Sequence, residues 1–360
     1  MKIKVQKLSF ILLLIACFFT NCSVDSNNKH EILTFDKFPI TTNLSHEKIE
    51  TNPNLYCVVG LLLLDSFLVT IDLKADTFFQ ILKLPAFDCK GGFITRGPGP
   101  EEEIFIEPYI ARISNKEFLF KGQTSIKIAE YNTASNKLEI VTKINLPHNL
   151  IEMWNIMKLG DSIIGNKMLG GNWVNKEFIG YNLKDNKIFD FGEDYPSVGR
   201  KIDPQRKDNI FSKISIIKPD GSAIASVYDK FPILRIYSIT GEIKKEVRLN
   251  NGQPFPRALL ENNPSEYSLN ERIQNYRMIK ASNNYIYALY VGKKEQEMEK
   301  GVNDLSNEIH IWNWDGAPIK RFLLDEKIFT FDVDLNDNYL IAYSLLSIDA
   351  LYKYNLKNHY

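Results

Sequence analysis

A β-rich repeat constrains the fold of this chain more than any other feature of its sequence. Six times, a run of β-forming residues reaches an aromatic residue and breaks into a turn, and in five of the six cases Asn or Ser follows the aromatic. Successive aromatics lie 52, 50, 56, 75 and 42 residues apart. A β-rich period of this size is typical of propeller blades. The aromatic positions are Phe79, Tyr131, Tyr181, Tyr237, Trp312 and Tyr354.

A second repeat recurs in the same order along the chain. A short polar turn precedes most of the predicted second strands, as in Asp65-Ser66-Phe67 and Asp337-Asn338-Tyr339. Alternation of apolar and polar residues between such turns indicates β-strands. We therefore predict an all-β fold, a six-bladed β-propeller with four-stranded antiparallel blades. The chain is 44% apolar, which is enough for a large core, and we expect residues 31–360 to form a single domain.

The last predicted blade is one strand short, because only three strand patterns precede Tyr360. The stretch Ile32–Phe35 is a strand candidate that no blade uses. If it paired with the last blade, it would close the ring and remove two exposed sheet edges. We therefore predict that an N-terminal strand closes the ring.

The N-terminus resembles a bacterial lipoprotein signal. Three lysines precede the apolar run Leu8–Phe19, which is short for a permanent membrane span. We predict a signal peptide over residues 1–21, lipidation of Cys22 and a flexible tether over residues 22–30. Cys17, preceded by Leu14-Ile15-Ala16, is the alternative lipidated residue, and a plain secretory peptide with incidental cysteines is a further alternative.

The charge balance limits the classes of partner. The whole chain has 44 basic and 44 acidic residues, and removal of residues 1–21 leaves 41 basic ones. A near-neutral chain without a basic block is a poor candidate for nucleic-acid binding. We expect membrane contact through the lipid anchor. The predicted location is the cell envelope, as an outer-membrane lipoprotein that faces either the periplasm or the surface.

Two insertions interrupt the repeat, at about residues 250–275 and 292–307. Long insertions in a scaffold are either functional loops or tolerated surface loops, and the sequence leaves both open. Outside the signal segment, Cys57 lies in an apolar strand and Cys89 in a turn. Whether these two cysteines form a disulfide stays open, although an exported compartment would permit one.

The segment between the first two predicted blades carries a family resemblance. Its sequence, Gly97-Pro98-Gly99-Pro100-Glu101-Glu102, must turn sharply and cannot be a central strand. It resembles the Gly-x-Gly-Pro-x-Glu segment of the TolB-like six-bladed β-propeller lipoproteins of Bacteroides and relatives. Those proteins often have Gly where this chain has Glu101. The resemblance implies a lipoprotein start and six blades, and it brings no catalytic residues, because the family is largely uncharacterised.

Three side chains are candidate ligand-binding residues. Arg96, beside the glycines, could hold an anion together with backbone N–H groups, or could pair with Glu101. Glu101 could supply a carboxylate to a ligand, or could lie in a solvated loop. Trp173 follows two glycines and could stack on a sugar or a peptide, or could pack over a neighbouring blade.

Metal and cofactor signatures are weak in this sequence. None of the five histidines has metal-ligand spacing. The run Asp332–Asn338 resembles the start of a calcium loop, but Asp337 stands where a glycine is needed and Tyr343 where a bidentate Glu should be. We expect a strand-end turn there, with no metal site and no cofactor.

These observations favour a binding or interaction module for a protein, a peptide or a glycan at the cell envelope. No catalytic motif is present, so the hypothesis that the protein is an enzyme is less favoured. Propeller active sites gather residues from different blades, so a hydrolase or lyase with its site in the funnel remains the alternative.

Overall fold

The structure is a computed structural model that describes residues 30–360, except 53, 100, 167–175, 254–271, 295–296, 298–304, 348, 358 and 360. The predicted signal peptide, Cys22 and most of both predicted insertions lie outside the described residues. Those predictions stay untested.

The described residues form almost only β-strands, arranged in six sheets. The N-terminal strands are β1 (Glu31–Phe35), β2 (Thr41–Leu44) and β3 (His46–Glu50). Blade one contains β4 (Val58–Leu63), β5 (Phe67–Asp72), β6 (Thr77–Lys83) and β7 (Asp88–Thr95). Blade two contains β8 (Ala111–Arg112), β9 (Glu117–Lys121), β10 (Ser125–Asn132) and β11 (Lys137–Asn145). Blade three contains β12 (Trp154–Leu159), β13 (Ser162–Asn166), β14 (Phe178–Asn182) and β15 (Lys187–Phe191).

The remaining blades follow the same pattern. Blade four contains β16 (Lys213–Ile217), β17 (Ala223–Tyr228), β18 (Ile233–Ser238) and β19 (Ile243–Leu249). Blade five contains β20 (Ile273–Ala281), β21 (Tyr285–Lys294), β22 (Ser306–Asn313) and β23 (Pro318–Ile328). Blade six contains β24 (Thr330–Val333), β25 (Tyr339–Tyr343) and β26 (Ala350–Asn355). The short helices among the described residues are α1 (Lys207–Ile210) and two 3₁₀ turns, His148–Leu150 and Pro204–Arg206.

Each blade is a meander of antiparallel neighbours, with its first strand innermost. The predicted six-bladed propeller is therefore confirmed. Because the strands alternate in direction, all turns from first to second strands lie on one face of the ring, which we call the hairpin face. The connections between blades lie on the opposite face, which we call the connection face. The six innermost strands, β4, β8, β12, β16, β20 and β24, surround the central axis.

An N-terminal strand closes the ring, as predicted, but it is not Ile32–Phe35. The closing strand is β3, which pairs antiparallel with β26 as the fourth strand of blade six. Strand β1 pairs parallel with β19 and forms a fifth strand of blade four, and β2 does the same on β23 of blade five. Because β3 directly precedes blade one in the chain, a short connection suffices for closure, while β1 covers a different exposed edge.

The fourth strand of blade one, β7, lacks the alternation of apolar and polar side chains that predicts a strand. Strand β7 contains Gly91 and Gly92 and bulges against β6 between Ile81 and Leu82. Gly91 has φ +133°, a conformation that glycine adopts without strain. The glycines remove the side-chain alternation by which a strand is recognised, so the pattern was lost there.

The aromatic repeat marks the third strand of every blade. The six aromatics are all buried, and the ring of Phe79 packs against those of Phe118 and Phe120 in the next blade, at centroid distances of 5.4 and 4.9 Å. The following Asn or Ser forms the turn after the strand, because its side-chain oxygen accepts a backbone N–H two residues on. Examples are Asn182, whose Oδ1 accepts the N–H of Lys184 at 2.9 Å, and Asn313, whose Oδ1 accepts that of Asp315 at 3.1 Å. Core packing and turn chemistry thus explain the repeat.

Candidate functional site

A cavity of about 500 Å³ runs along the propeller axis and is lined by the innermost strands of all six blades. At the hairpin face its lining includes the turn residues Asn115, Pro219 and Asn283. Towards the connection face it reaches Pro108 and Tyr109. This volume lies within the usual range for small-molecule sites. The central channel is therefore the candidate functional site.

Most of the channel wall is apolar. The innermost strands contribute aliphatic and thioether side chains from every blade. A ligand with an apolar body could bury surface against them, which contributes roughly 25 cal/mol per Å². They include Leu62, Ile110, Ile156, Ile214, Met278 and Val333.

A group of three charged side chains interrupts the apolar wall. Lys280 of β20 donates from Nζ to the carbonyl of Leu61 at 2.5 Å and lies 3.5 Å from Asp332 Oδ1. Asp332 of β24 accepts the backbone N–H of Leu63 through Oδ2 at 2.6 Å. Arg112 of β8 donates from Nη2 to the carbonyl of Leu63. We call Arg112, Lys280 and Asp332 the channel triad; it joins blades one, two, five and six.

The channel triad has more positive than negative charge. Burial lowers the pKa of Lys280 although Asp332 opposes this, and the nearby Arg112 lowers it further. Burial also lowers the pKa of Arg112, against the attraction of Asp332, Asp65 and Asp334. The Nη1 atom of Arg112 is buried and has no hydrogen-bond partner among the described residues. The site therefore has spare capacity to donate to an acceptor.

The two more distant carboxylates are engaged or solvated. Asp65 lies in an exposed turn. Asp334 accepts hydrogen bonds through Oδ2 from the backbone N–H groups of Asn336 and Asn338, each at 3.1 Å. Both carboxylates act on Arg112 only through their charge, and neither is a direct partner of its guanidinium group.

Two further lysines lie at the mouth of the channel. Lys218 forms an ion pair with Asp220 at 2.8 Å. Lys158 donates to the carbonyl of Gly160 at 2.7 Å. Both line the cavity, so the mouth adds positive charge beside the triad.

The connection-face end of the channel is closed in part by aromatic rings. Tyr109 contacts Trp154 of β12 at a centroid distance of 5.5 Å. Burial raises the pKa of Tyr109 to about 12, with a smaller lowering effect from Arg277. The phenol therefore stays neutral at physiological pH.

Arg96 and Glu101 do not line the channel. Arg96 donates to the carbonyls of Ala75 and Asp72, each at 3.0 Å, and lies 3.9 Å from the ring centroid of Phe78. These contacts attach the segment after β7 to the turn after β5, on the connection face. Glu101 is exposed. The ligand-binding roles of both residues stay predictions, and Trp173 lies outside the described residues.

The glycine–proline segment is held by Glu102, which caps it. Its Oε2 accepts the backbone N–H of Gly99 at 3.0 Å, and Oε1 accepts the hydroxyl of Thr95 at 3.4 Å. A side chain at Gly97 would collide with this carboxylate, because a Cβ there would lie 2.0 Å from Oε2. A side chain at Gly97 would therefore displace the Glu102 carboxylate from its hydrogen bond with Gly99.

Among the described residues, no group of three or more His, Cys, Asp or Glu side chains could hold a metal ion. The predicted calcium-like run is the end of β24 followed by a turn that Asp334 caps. Cys57 and Cys89 are free thiols. None of the helices in the described part of the chain is long and apolar enough to cross a membrane.

Arg112 and Lys280 were not among the predicted site residues. Each is a charged residue directly after apolar ones: Arg112 follows Ile110-Ala111, and Lys280 follows Met278-Ile279. A charged residue among apolar ones in the first strand of a blade, which is the strand that lines the axis, is the signal that could have identified them. Asp332 was considered only as a calcium ligand.

Comparison with solved structures supports the fold. A candidate exported protein from Bacteroides fragilis NCTC 9343 has a TM-score of 0.58 at 12% identity, with 91% of this chain and 99% of that chain covered. A member of the duf4221 family from Bacteroides vulgatus ATCC 8482 has a TM-score of 0.54 at 11% identity, with 87% and 98% covered. At these identities, the likeness concerns the fold alone.

No match is found among curated proteins. The family model described as TolB-like 6-blade propeller-like matches residues 59–336, which is most of the described ring. The sequence resemblance at the glycine–proline segment, the six blades and this match agree, and the chain belongs to the TolB-like 6-blade propeller-like family.

Proposed function

We propose that this protein is a lipid-anchored binding module of the cell envelope that holds its ligand in the central channel. The observation that carries the proposal is the cavity of about 500 Å³, which combines apolar walls with the charged channel triad. Few convergent polar groups in an apolar cavity are typical of ligand sites. A peptide or glycan partner would insert a terminal group through the hairpin face.

The described chain begins on the same face of the ring as the channel mouth. Strand β1 pairs parallel with β19, and Glu31 lies opposite Lys245, two residues after β19 begins at Ile243. The start of β19 is on the hairpin face, so the chain enters the propeller there. A lipid on Cys22 would be at most about 30 Å from Glu31, at 3.3–3.6 Å per residue. A lipid anchor on Cys22 would therefore be tethered to the face of the ring that has the channel mouth.

The anchor has a direct test. Lipidation of Cys22 predicts a mature N-terminal peptide that begins at that residue and carries acyl chains, detected by mass spectrometry. Cys22→Ser should release the protein from the membrane fraction, and Cys17→Ser should leave it attached. The opposite pattern would assign the lipid to Cys17. If both single variants stay in the membrane fraction and no acyl group is detected on the mature N-terminus, the proposed anchor is contradicted.

The channel-binding role can be tested without knowing the ligand. We suggest purifying the full chain from its native envelope and identifying bound small molecules or peptides by mass spectrometry. Ile216→Trp should fill part of the cavity, because Ile216 lines it and is half-buried. Ile140→Trp is the matched control, since Ile140 is exposed on the outer strand β11.

We expect a ligand that co-purifies with the wild type and with Ile140→Trp, and that is depleted about tenfold or more in Ile216→Trp. Equal occupancy in the two tryptophan variants would place the ligand outside the channel. Absence of any ligand from the wild-type protein would also argue against the proposal.

One observation favours the alternative, a hydrolase or lyase in the funnel. The amine of Lys280 lies beside Asp332 and has a lowered pKa because it is buried, so it releases its proton more readily than an exposed lysine does. An enzyme would turn over a co-purified ligand or an ester or glycoside probe, and Lys280→Met would abolish turnover. Release of the ligand without chemical change favours the binding module.

A further inference from the structure

The channel triad identifies the chemical class of ligand. We propose that the central channel binds an amphiphilic anion, with its carboxylate or phosphate group held by Arg112 and Lys280 and its apolar body against the aliphatic wall. This inference rests on the proposed channel-binding function and deepens it.

The two cations converge on one strand edge. Lys280 donates to the carbonyl of Leu61, and Arg112 donates to the carbonyl of Leu63. Both carbonyls belong to β4, which is innermost and therefore has a free edge towards the axis. Residues two apart on a strand are about 7 Å apart. The ammonium and guanidinium groups are thus bound to neighbouring carbonyls along the same strand edge, on the side of the channel.

The triad is incomplete without an acceptor. Asp332 compensates one positive charge only, and its Oδ2 already accepts the N–H of Leu63. Arg112 Nη1 is buried without a partner among the described residues. A buried N–H donor without an acceptor is unfavourable, and charged hydrogen bonds are stronger than neutral ones. An oxyanion would satisfy this donor and offset the surplus charge.

The burial of Lys280 supports the same conclusion. Burial lowers its pKa and disfavours the ammonium form, and an adjacent anion would favour that form again. Binding of an anion should therefore be accompanied by proton uptake at pH values near the pKa of Lys280.

The apolar side chains of the channel wall indicate the chemistry of the rest of the ligand. Leu62, Met278 and Val333 line the cavity together with the triad, and they offer an apolar surface to the rest of the ligand. An alkyl chain or apolar side chain would bury surface against them. The lysines at the mouth, Lys158 and Lys218, would attract an anion towards the channel.

The test uses four probes that share an eight-carbon chain: octanoate, octyl phosphate, octanol and octylamine. Titration calorimetry on the mature full-length protein should show binding of the two anions, and binding of octanol and octylamine at least about tenfold weaker. A preference for octyl phosphate over octanoate would point to a phosphate-bearing ligand such as a lipid headgroup. The reverse preference would point to a carboxylate.

Substitutions of the two cations test whether they contact the anionic group. Arg112→Gln and Lys280→Met should each weaken octanoate binding by about tenfold to a hundredfold, and Arg112→Lys should weaken it less than Arg112→Gln. Lys83→Gln is the matched control, because Lys83 is exposed on the outside of β6, and it should bind like the wild type. Thermal unfolding of each variant shows whether the fold is retained.

Equal binding of octanol and octanoate would overturn the proposal, as would an unchanged affinity in Arg112→Gln. If neither anion binds but a native ligand is depleted in Ile216→Trp, the anion assignment fails and the channel-binding function stands. If no ligand of any kind depends on the channel, both proposals fail.

Discussion

Two buried charge clusters in this propeller differ in how their charges are balanced. In the first, between blades three and four, Arg235 contacts the carboxylates of Glu177 at 3.0 Å and Glu246 at 2.5 Å. The hydroxyl groups of Tyr228 and Tyr237 both donate to Glu177. We call these five residues the interblade cluster. The channel triad is the second cluster, and its Arg112 keeps one donor without a partner.

The difference separates a structural role from a binding role. Arg235 is 2% exposed, and Glu177 and Glu246 are fully buried, so no ligand can approach them. Attraction by the carboxylates outweighs burial and raises the pKa of Arg235. In the channel, burial instead lowers the pKa of Arg112. A buried cation with complete compensation holds the fold together, whereas one without it beside a cavity is available to a ligand.

The largest effect should come from removing the central cation of the interblade cluster. Arg235→Met leaves Glu177 and Glu246 buried without their main partner, which should lower the free energy of unfolding by about 3–5 kcal/mol. Urea unfolding of the variant and the wild type measures this. If the free energy of unfolding falls by less than about 1 kcal/mol, the interblade cluster does not have the structural role that distinguishes it from the channel triad.

The pH dependence of stability should reflect the same cluster. Burial raises the pKa of Glu246, but contact with His30 and the attraction of Arg235 and Arg248 lower it more, to about 2. An unperturbed Glu has a pKa of about 4.3. The stabilisation is therefore complete above about pH 4.5 and is lost as the pH falls to about 2, by roughly 3 kcal/mol.

Glu246→Gln provides the comparison for this pH profile. The variant should be less stable at neutral pH and should lose less stability between about pH 4.5 and pH 2 than the wild type. Denaturant titrations at several pH values measure both slopes. Parallel profiles of variant and wild type would show that Glu246 is not the titrating group.

A smaller effect is expected at the edge of the interblade cluster. Arg248 also contacts Glu246, with Nε 2.6 Å from Oε1, but its side chain is 28% exposed. Arg248→Met should lower the free energy of unfolding by about 1 kcal/mol, because water can replace part of the interaction. If Arg248→Met costs as much as Arg235→Met in urea unfolding, burial does not explain the difference between the two arginines.

The sequence predicted much of the scaffold and little of either cluster, for physical reasons. Strand alternation and the aromatic repeat are local signals, so the blades were recognisable. Strand β3 (His46–Glu50) was missed as the closing strand because it is polar, as exposed edge strands often are. Arg112, Lys280 and Asp332 are separated by 168 and 52 residues, and only closure of the ring brings them together. Arg235 and Glu177 meet in the same way, through blade packing that a single sequence does not encode locally.

The smallest effect on stability should come from the channel triad itself. Arg112→Met removes a cation that has one backbone acceptor and an unpartnered donor, while Asp332 keeps Lys280 as its partner. The free energy of unfolding of the ligand-free protein should change by less than about 1 kcal/mol in either direction, because the lost attraction and the relieved burial of charge offset each other. The same variant should show no stabilisation by octanoate in thermal unfolding, whereas the wild type and Arg248→Met should both be stabilised. A loss of several kcal/mol in ligand-free Arg112→Met would mean that Arg112 is as structural as Arg235, and the distinction between the two clusters would fail.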